Sequence, residues 1–260
     1  MHTKQHSANL LGRGVLGNSI KWLLFPGINL HARLRYRILP RFLPAPNNNA
    51  EATLLDAGCG NGMLTYQGYL RGYKSLGISI KQGEIERNQR LFNKYLGISE
   101  DRLAFRLCNL YELPALKMQF DQVICSEVLE HIRRDREVCE IFWDILKPGG
   151  MLHLCCPNAA HPDNQRTPLD TEEKGGHVRP GYTAESYREL LEPIGFQLSE
   201  VIGLGGPIRQ SLNKMLMRIE NFAGLPVATA FFFVVSPLVV FDPRKPRVPY
   251  SIYVRATKPP

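Results

Sequence analysis

Short apolar runs alternate with longer amphipathic stretches through the middle of this chain, and the alternation predicts an α/β fold. Residues 53–55 (TLL), 75–80 (SLGISI), 103–108 (LAFRLC), 120–126 (FDQVICS) and the run inside 146–154 (LKPGGMLHL) have the continuous, partly β-branched character of strands buried on both faces. Between them, residues 63–70 (MLTYQGYL) and 82–95 carry helical spacing. Further on, 182–196 (YTAESYRELLEPIGF) reads as a helix feeding a sixth strand, and 250–257 (YSIYVRAT) alternates as a last one. This order, with short connections, predicts a doubly wound, mostly parallel seven-stranded sheet. A chain of 260 residues can bury such a core as one domain with extensions.

Three stretches fall outside that rhythm. Residues 1–49 form a basic arm and linker: polar and Gly-rich to residue 20, then amphipathic over 20–43, then PAPNNN. In the amphipathic part Leu30, Leu34 and Ile38 line one row and Arg33, Arg37 and Arg41 the next. Two readings stand open, a cap over a ligand mouth and a helix lying on a membrane surface. Residues 157–181 are polar and loop-like, leaving the carboxyl edge of the sheet where ligands sit in such folds, so they are the expected substrate loop. Residues 205–249 are a hydrophobic insertion with a helix candidate at 208–222 and 21 uncharged residues between Glu220 and Asp242. That length approaches a bilayer span of about 20 residues. Both flanks lead to strands of one sheet, however, and Pro226 and Pro237 break the run. A monotopic, membrane-dipping hairpin and a buried or dimer-forming helix remain.

Charge sharpens the picture. The formal net charge is +8, yet the first fifty residues hold seven Lys and Arg and no acid, so an anionic partner suits the arm. The arginines interleave with aliphatic rather than stacking residues, which argues against nucleic acid. Six cysteines show no C-x-x-C pair and no His at ligand spacing, predicting reduced core thiols and no metal site. No signal peptide is expected, because the apolar stretch 22–28 is short and interrupted by Pro26. The expected location is cytoplasmic, with or without membrane association.

The most specific chemistry lies at the end of the first strand. Asp56 is followed by Gly58, Gly60 and Gly62, a D-x-G-x-G-x-G turn leading into a helix. Alternate glycines permit a tight turn and close approach of a ligand to main chain, and the helix start offers free N–H groups. A dinucleotide site would instead show G-x-G-x-x-G with an acid downstream. The turn resembles motif I of the class I S-adenosylmethionine (SAM) dependent methyltransferases, and EVLEH (127–131) and KPGG (147–150) match later segments of that family in order.

This resemblance implies a Rossmann-like methyltransferase domain over residues 50–260, with a last strand pairing antiparallel beside strand six. It implies SAM as cofactor, held by Asp56, Gly58, Gly60, Gly62, Ser79, Ile80, Asn109, Leu110, Ser126 and Glu127. Asp56 has a second reading, as a brace for the glycine turn. Ser79 departs from the family pattern, which places an acid there to grip the ribose, so Gln82 or Glu84 becomes a helping residue. His131 is the first candidate general base and His177 the second, while His161, Arg179 and Tyr182 are candidates for holding the acceptor. The expected acceptor is a small or amphipathic molecule (lipid, glycolipid or quinone-like) methylated at a hydroxyl. A polar acceptor such as a sugar, and a non-enzymatic scaffold, are the alternatives. An NAD(P) oxidoreductase is disfavoured because no Tyr is followed four places later by Lys.

Overall fold

The computed structural model describes residues 27–46 and 51–260, and the chain falls into two compact units. Residues 1–26, which hold the polar, Gly-rich amino-terminal segment and the start of the arm's amphipathic stretch, lie outside the described residues, as do residues 47–50 at the end of the linker. The larger unit comprises Ile38–Gly203 with Val248–Pro260, and the smaller joins residues up to Arg37 with Leu204–Arg247.

The larger unit is built on a seven-stranded sheet ordered β3-β2-β1-β4-β5-β7-β6. Its strands are β1 (Thr53–Ala57), β2 (Lys74–Ser79), β3 (Leu103–Leu107), β4 (Phe120–Ser126), β5 (Leu146–Pro157), β6 (Gln197–Leu204) and β7 (Ser251–Thr257). β1 pairs parallel with β2 and β4, aligning Leu55 with Leu76 on one side and Val123 on the other. β7 pairs antiparallel with β5 from Met151 to Pro157, which carries β5 beyond the expected 154. β7 stands between β5 and β6, in keeping with the resemblance.

Helices α2 (Met63–Leu70), α3 (Gln82–Asn88), α4 (Asp135–Ile145) and α6 (Ala184–Leu191) flank the sheet, and α5 (Pro162–Gln165) is a single turn within the long loop. α4 buries Val138, Cys139, Phe142 and Ile145, and α6 buries Tyr187, Leu190 and Leu191, all in one cluster with Leu55, Val123 and Leu154. The predicted helix 82–95 changes character at Gln89, where it widens into a π-helix to Tyr95. There Leu96 N–H reaches back to the Leu91 carbonyl. All six cysteines are buried thiols outside any disulfide, as expected of the core.

The smaller unit contains α1 (Leu30–Ile38), α7 (Pro207–Ala223), α8 (Leu225–Val235) and a 3₁₀ turn (Ser236–Phe241). The apolar run is therefore divided. Gly224, at φ +84°, separates α7 from α8, and Pro226 and Pro237 occupy first-turn positions where a missing N–H costs nothing. Ile28, Leu30, Leu216, Ala228, Phe232 and Val235 form its core. The buried carboxylate of Asp242 accepts N–H bonds from Gly206, Ile208 and Arg209, capping α7 from 36 residues away in the Gly206 case. Among the described residues no helix is long and apolar enough to cross a membrane.

His153 lies fully buried in β5, its Nε2 donating to Gln122 (2.8 Å) and its Nδ1 accepting from the Tyr253 hydroxyl (2.9 Å). Burial holds its pKa down at about 3, with Arg255 adding to the effect. The folded state thus keeps His153 neutral while the unfolded chain protonates it below about 6.5, so stability is full above that pH and lost as pH falls. Asp56 works the other way, since burial raises its pKa to about 6 and charging it opposes the fold. Lowering the pH to about 5 should cost about 2 kcal/mol through His153, with about 1 kcal/mol returned by Asp56. Urea midpoints measured at both ends of this range, for wild type and His153→Gln, should show the variant free of the His153 loss.

Candidate active site

The centre of the site is the turn that takes β1 into α2. Gly58 and Cys59 donate N–H bonds to the Ile78 carbonyl at 3.0 and 2.8 Å, pinning the turn to the end of β2, and Gly62 N–H closes on Cys59 at 2.7 Å. All three glycines are left-handed, at φ +86°, +50° and +77°. Their surroundings differ. A Cβ on Gly58 would stand 2.3 Å from Val128, and one on Gly62 would stand 2.7 Å from Phe92, so both are demanded by packing. A Cβ on Gly60 would meet nothing within 4 Å. Behind it, Gly60 carbonyl accepts from Asn88 (3.0 Å) and Arg87 (2.9 Å), which fix the loop from α3. The result is bare main chain with open space in front of it at the start of a helix, which fits the amino-acid end of SAM.

Asp56 is 2 % exposed and accepts the Thr65 hydroxyl at 2.7 Å. This geometry is the bracing role, exerted through the first turn of α2.

At the end of β2, Ser79 hydroxyl donates to Glu84 at 2.7 Å and accepts from Lys81 N–H at 3.1 Å. Lys81 ammonium lies 3.8 Å from the same carboxylate. Both Ser79 and Glu84 are buried, so the first turn of α3 sets a carboxylate beside the end of the strand. Ile80, by contrast, is an exposed apolar side chain beside it. Across the edge, Asn109 caps the 3₁₀ turn Leu110–Leu116 by accepting from Tyr111 N–H, while Leu110 is buried. Ser126 ends β4, and Glu127 follows at φ +58°, a conformation that costs a non-glycine residue about 1 kcal/mol or more. Its N–H is tied to the Cys155 carbonyl at 2.7 Å.

The segment after β4 carries the candidate base. Val128 packs on Gly58, and a 3₁₀ turn, Leu129–His131, follows directly. His131 Nδ1 lies 2.8 Å from the Gly176 carbonyl; an oxygen there can only accept, so Nδ1 carries the proton and Nε2 is the basic nitrogen of the neutral ring. The His177 ring stands edge-on at 4.8 Å, and Glu130, His131 and His177 each offer an atom within 4.8 Å of the others. Burial, then the neighbouring His131, pushes the His177 pKa down. The structure thus brings together two histidines that the sequence separates by 46 residues.

The three acceptor candidates are otherwise engaged. Arg179 forms an ion pair with Asp135 and donates to the Ile132 and Arg133 carbonyls, while Tyr182 hydroxyl donates to Asp135 at 2.6 Å. His161 caps α5 by accepting from Asp163 N–H, and its ring edge packs on Tyr250. The Arg179 and Tyr182 contacts hold the end of the 157–181 loop to the start of α4, while His161 ties the loop's beginning to Tyr250. Asp135 was not legible as their partner, since first-turn acids are common on helices. The loop tip has its own anchor, Glu173, which accepts from Tyr111 hydroxyl (2.9 Å) and Arg133 N–H (2.6 Å).

Known proteins resemble this chain at the level of the whole domain. A family described as methyltransferase domain matches residues 29–201. Among curated relatives, the mitochondrial ubiquinone biosynthesis O-methyltransferase of Rattus norvegicus is 28% identical over 161 residues, covering 58% of this chain and 46% of that protein. The ubiquinone biosynthesis O-methyltransferase of Dinoroseobacter shibae is 29% identical over 165 residues, 60% of this chain and 64% of that one. The chain spans less than half of the mammalian relatives it matches. Haemonchus contortus phosphoethanolamine N-methyltransferase 2, solved with S-adenosyl-L-methionine, superposes with a TM-score of 0.59 at 17% identity over 90% of this chain and 57% of that one. An S-adenosylmethionine dependent methyltransferase from Mesorhizobium loti gives 0.55 at 16% identity over 88% and 99%. The chain belongs to the class I SAM-dependent methyltransferases, a family of enzymes that take S-adenosyl-L-methionine as cofactor.

Proposed function

We propose that this chain methylates a hydroxyl of an amphipathic, quinone-like acceptor at a membrane surface, with His131 as the base. The observation that carries the reading is His131 itself: its proton is fixed on Nδ1 by Gly176, and its turn directly follows Val128, the residue packed on Gly58. SAM supplies an electrophilic methyl group. Gly58, Gly60, Gly62, Ser79, Ile80, Asn109, Leu110, Ser126 and Glu127 would hold the cofactor, with Asp56 bracing the turn beneath it through Thr65 and Glu84 added as the carboxylate that would take the ribose hydroxyls. His131 Nε2, with the buried Glu130 carboxylate 3.8 Å away, would take the acceptor's hydroxyl proton, and burial holds the neighbouring His177 toward its neutral form. Arg179, Tyr182 and His161 act by holding the loop that covers the acceptor. The hydroxyl and the quinone-like class are supported by the names of the curated relatives. The membrane surface is supported by the basic arm and the apolar insertion.

A second reading has one observation in its favour. Glu130, His131 and His177 form a donor set of a kind that suits a divalent cation, which would then polarise the hydroxyl in place of a base. Under the base reading, methyl transfer survives treatment with EDTA; loss of activity restored by added magnesium or manganese would favour the cation.

Two outcomes test the assignment of roles. Methyl transfer to a catechol should fall by about 10² or more in kcat for His131→Gln, with SAM affinity unchanged and the acid limb of the wild-type pH profile abolished. Unaltered kcat in that variant would remove His131 from the chemistry. By calorimetry, Glu84→Gln should weaken S-adenosylhomocysteine by about tenfold or more, since a charge-assisted bond contributes about 1.5–3 kcal/mol. Equal affinity would return the ribose contact to Ser79 alone.

A further inference from the structure

We infer that the helical unit is the docking surface for an anionic bilayer: the outer face of α8 and the following 3₁₀ turn enters the headgroup–acyl boundary while the unit's exposed Lys and Arg meet lipid phosphates. This rests on the membrane-surface part of the function proposed above and not on its chemistry.

The apolar run does two different things. Ala228, Phe232 and Val235 point into the unit's own core with Ile28, Leu30 and Leu216. Leu225, Phe231 and Val239 pack against that core from its edge, and other side chains of the run face outward. Val234 is 69 % exposed, Val240 76 %, Phe241 71 % and Phe222, at the end of α7, 96 %, with Val227, Phe233 and Leu238 about half exposed between them. Seven large apolar side chains within one uncharged sequence segment amount to a patch that soluble surfaces rarely leave in water.

Charge selects the occupant. The described residues of this unit hold nine Lys and Arg (Arg33, Arg35, Arg37, Arg209, Lys214, Arg218, Arg244, Lys245 and Arg247) against Glu220 and Asp242. Of these two acids, Asp242 is turned inward, capping α7 and pairing with Arg209 at 3.5 Å. Arg244, Lys245 and Arg247 follow Phe241 almost immediately and are exposed. A second copy of the chain would bring like charge against like charge around the same face. A surface of acidic lipids satisfies both features, its phosphates meeting the cations while the apolar side chains insert beside them. The geometry permits insertion but not passage: α8 has 11 residues, about 16 Å at 1.5 Å per residue, against a hydrocarbon core of about 30 Å.

The test is flotation of the full chain with vesicles of phosphatidylcholine alone and of phosphatidylcholine mixed with phosphatidylglycerol. Two triple variants are compared, Val234→Ser with Val240→Ser and Phe241→Ser, and Arg244→Glu with Lys245→Glu and Arg247→Glu. Wild type should float with the mixed vesicles and largely remain below with the neutral ones. Each variant should lose more than about tenfold in partitioning while keeping the wild-type circular dichroism spectrum and thermal midpoint. Wild type that stays at the bottom, or variants that float as well as wild type, overturns the proposal. So does a dimer in sedimentation that the serine variant abolishes, since a second copy would then cover the face. Transfer of methyl to a water-soluble catechol is measured in parallel: if it is absent while flotation holds, the chemistry fails and the docking surface stands.

Discussion

A strand that ends at the centre of a parallel sheet must hand over to a helix within a few residues, and here that constraint falls on Gly58–Gly62. The strand has neighbours on both sides, so the chain can leave only over the carboxyl edge. Two of the three glycines satisfy packing, against Val128 and Phe92. The third faces open space. Everything else at the site is placed relative to this turn: Ile78 receives its N–H groups, Asn88 and Arg87 hold Gly60 from behind, and Asp56 fixes the helix through Thr65. The ligand-facing element is therefore main chain, while the side chains around it determine where that main chain lies.

This division explains what could be read from the sequence. The strands were legible because burial on both faces writes itself into the residue type; β4 has the expected limits, Phe120–Ser126. The glycine turn was legible because only glycine takes those dihedral angles without strain. Interactions through space left weaker traces. Ser79 looked like a gap in the pattern, since the five-residue step to Glu84 closes only when α3 turns back over β2. Arg179 and Tyr182 looked like binding residues because a polar loop does not reveal that Asp135 will take both. The widening of α3 at Gln89 has no proline or glycine to announce it.

The smaller unit shows the same limit at longer range. Sequence reading treated the amino-terminal arm and the insertion as separate extensions, whereas Leu30 and Leu216 share one core and Leu30 N–H bonds to Asn213 across 183 residues. His31 is buried there against Gln210, and burial lowers its pKa to about 4. Prolines read as breaks became helix starts, because proline is tolerated in a first turn. What composition did convey was the sum of the unit: apolar, basic and nearly free of acid.

The account stands or falls on Gly60. Asparagine is among the side chains that best tolerate a φ of +50°, and at this position it would project into the open space in front of the turn. Calorimetric titration with S-adenosylhomocysteine, paired with thermal melts, should find binding to the wild type, none to Gly60→Asn, and the same melting temperature for both. Undiminished binding by the asparagine variant would contradict a cofactor seated on this main chain.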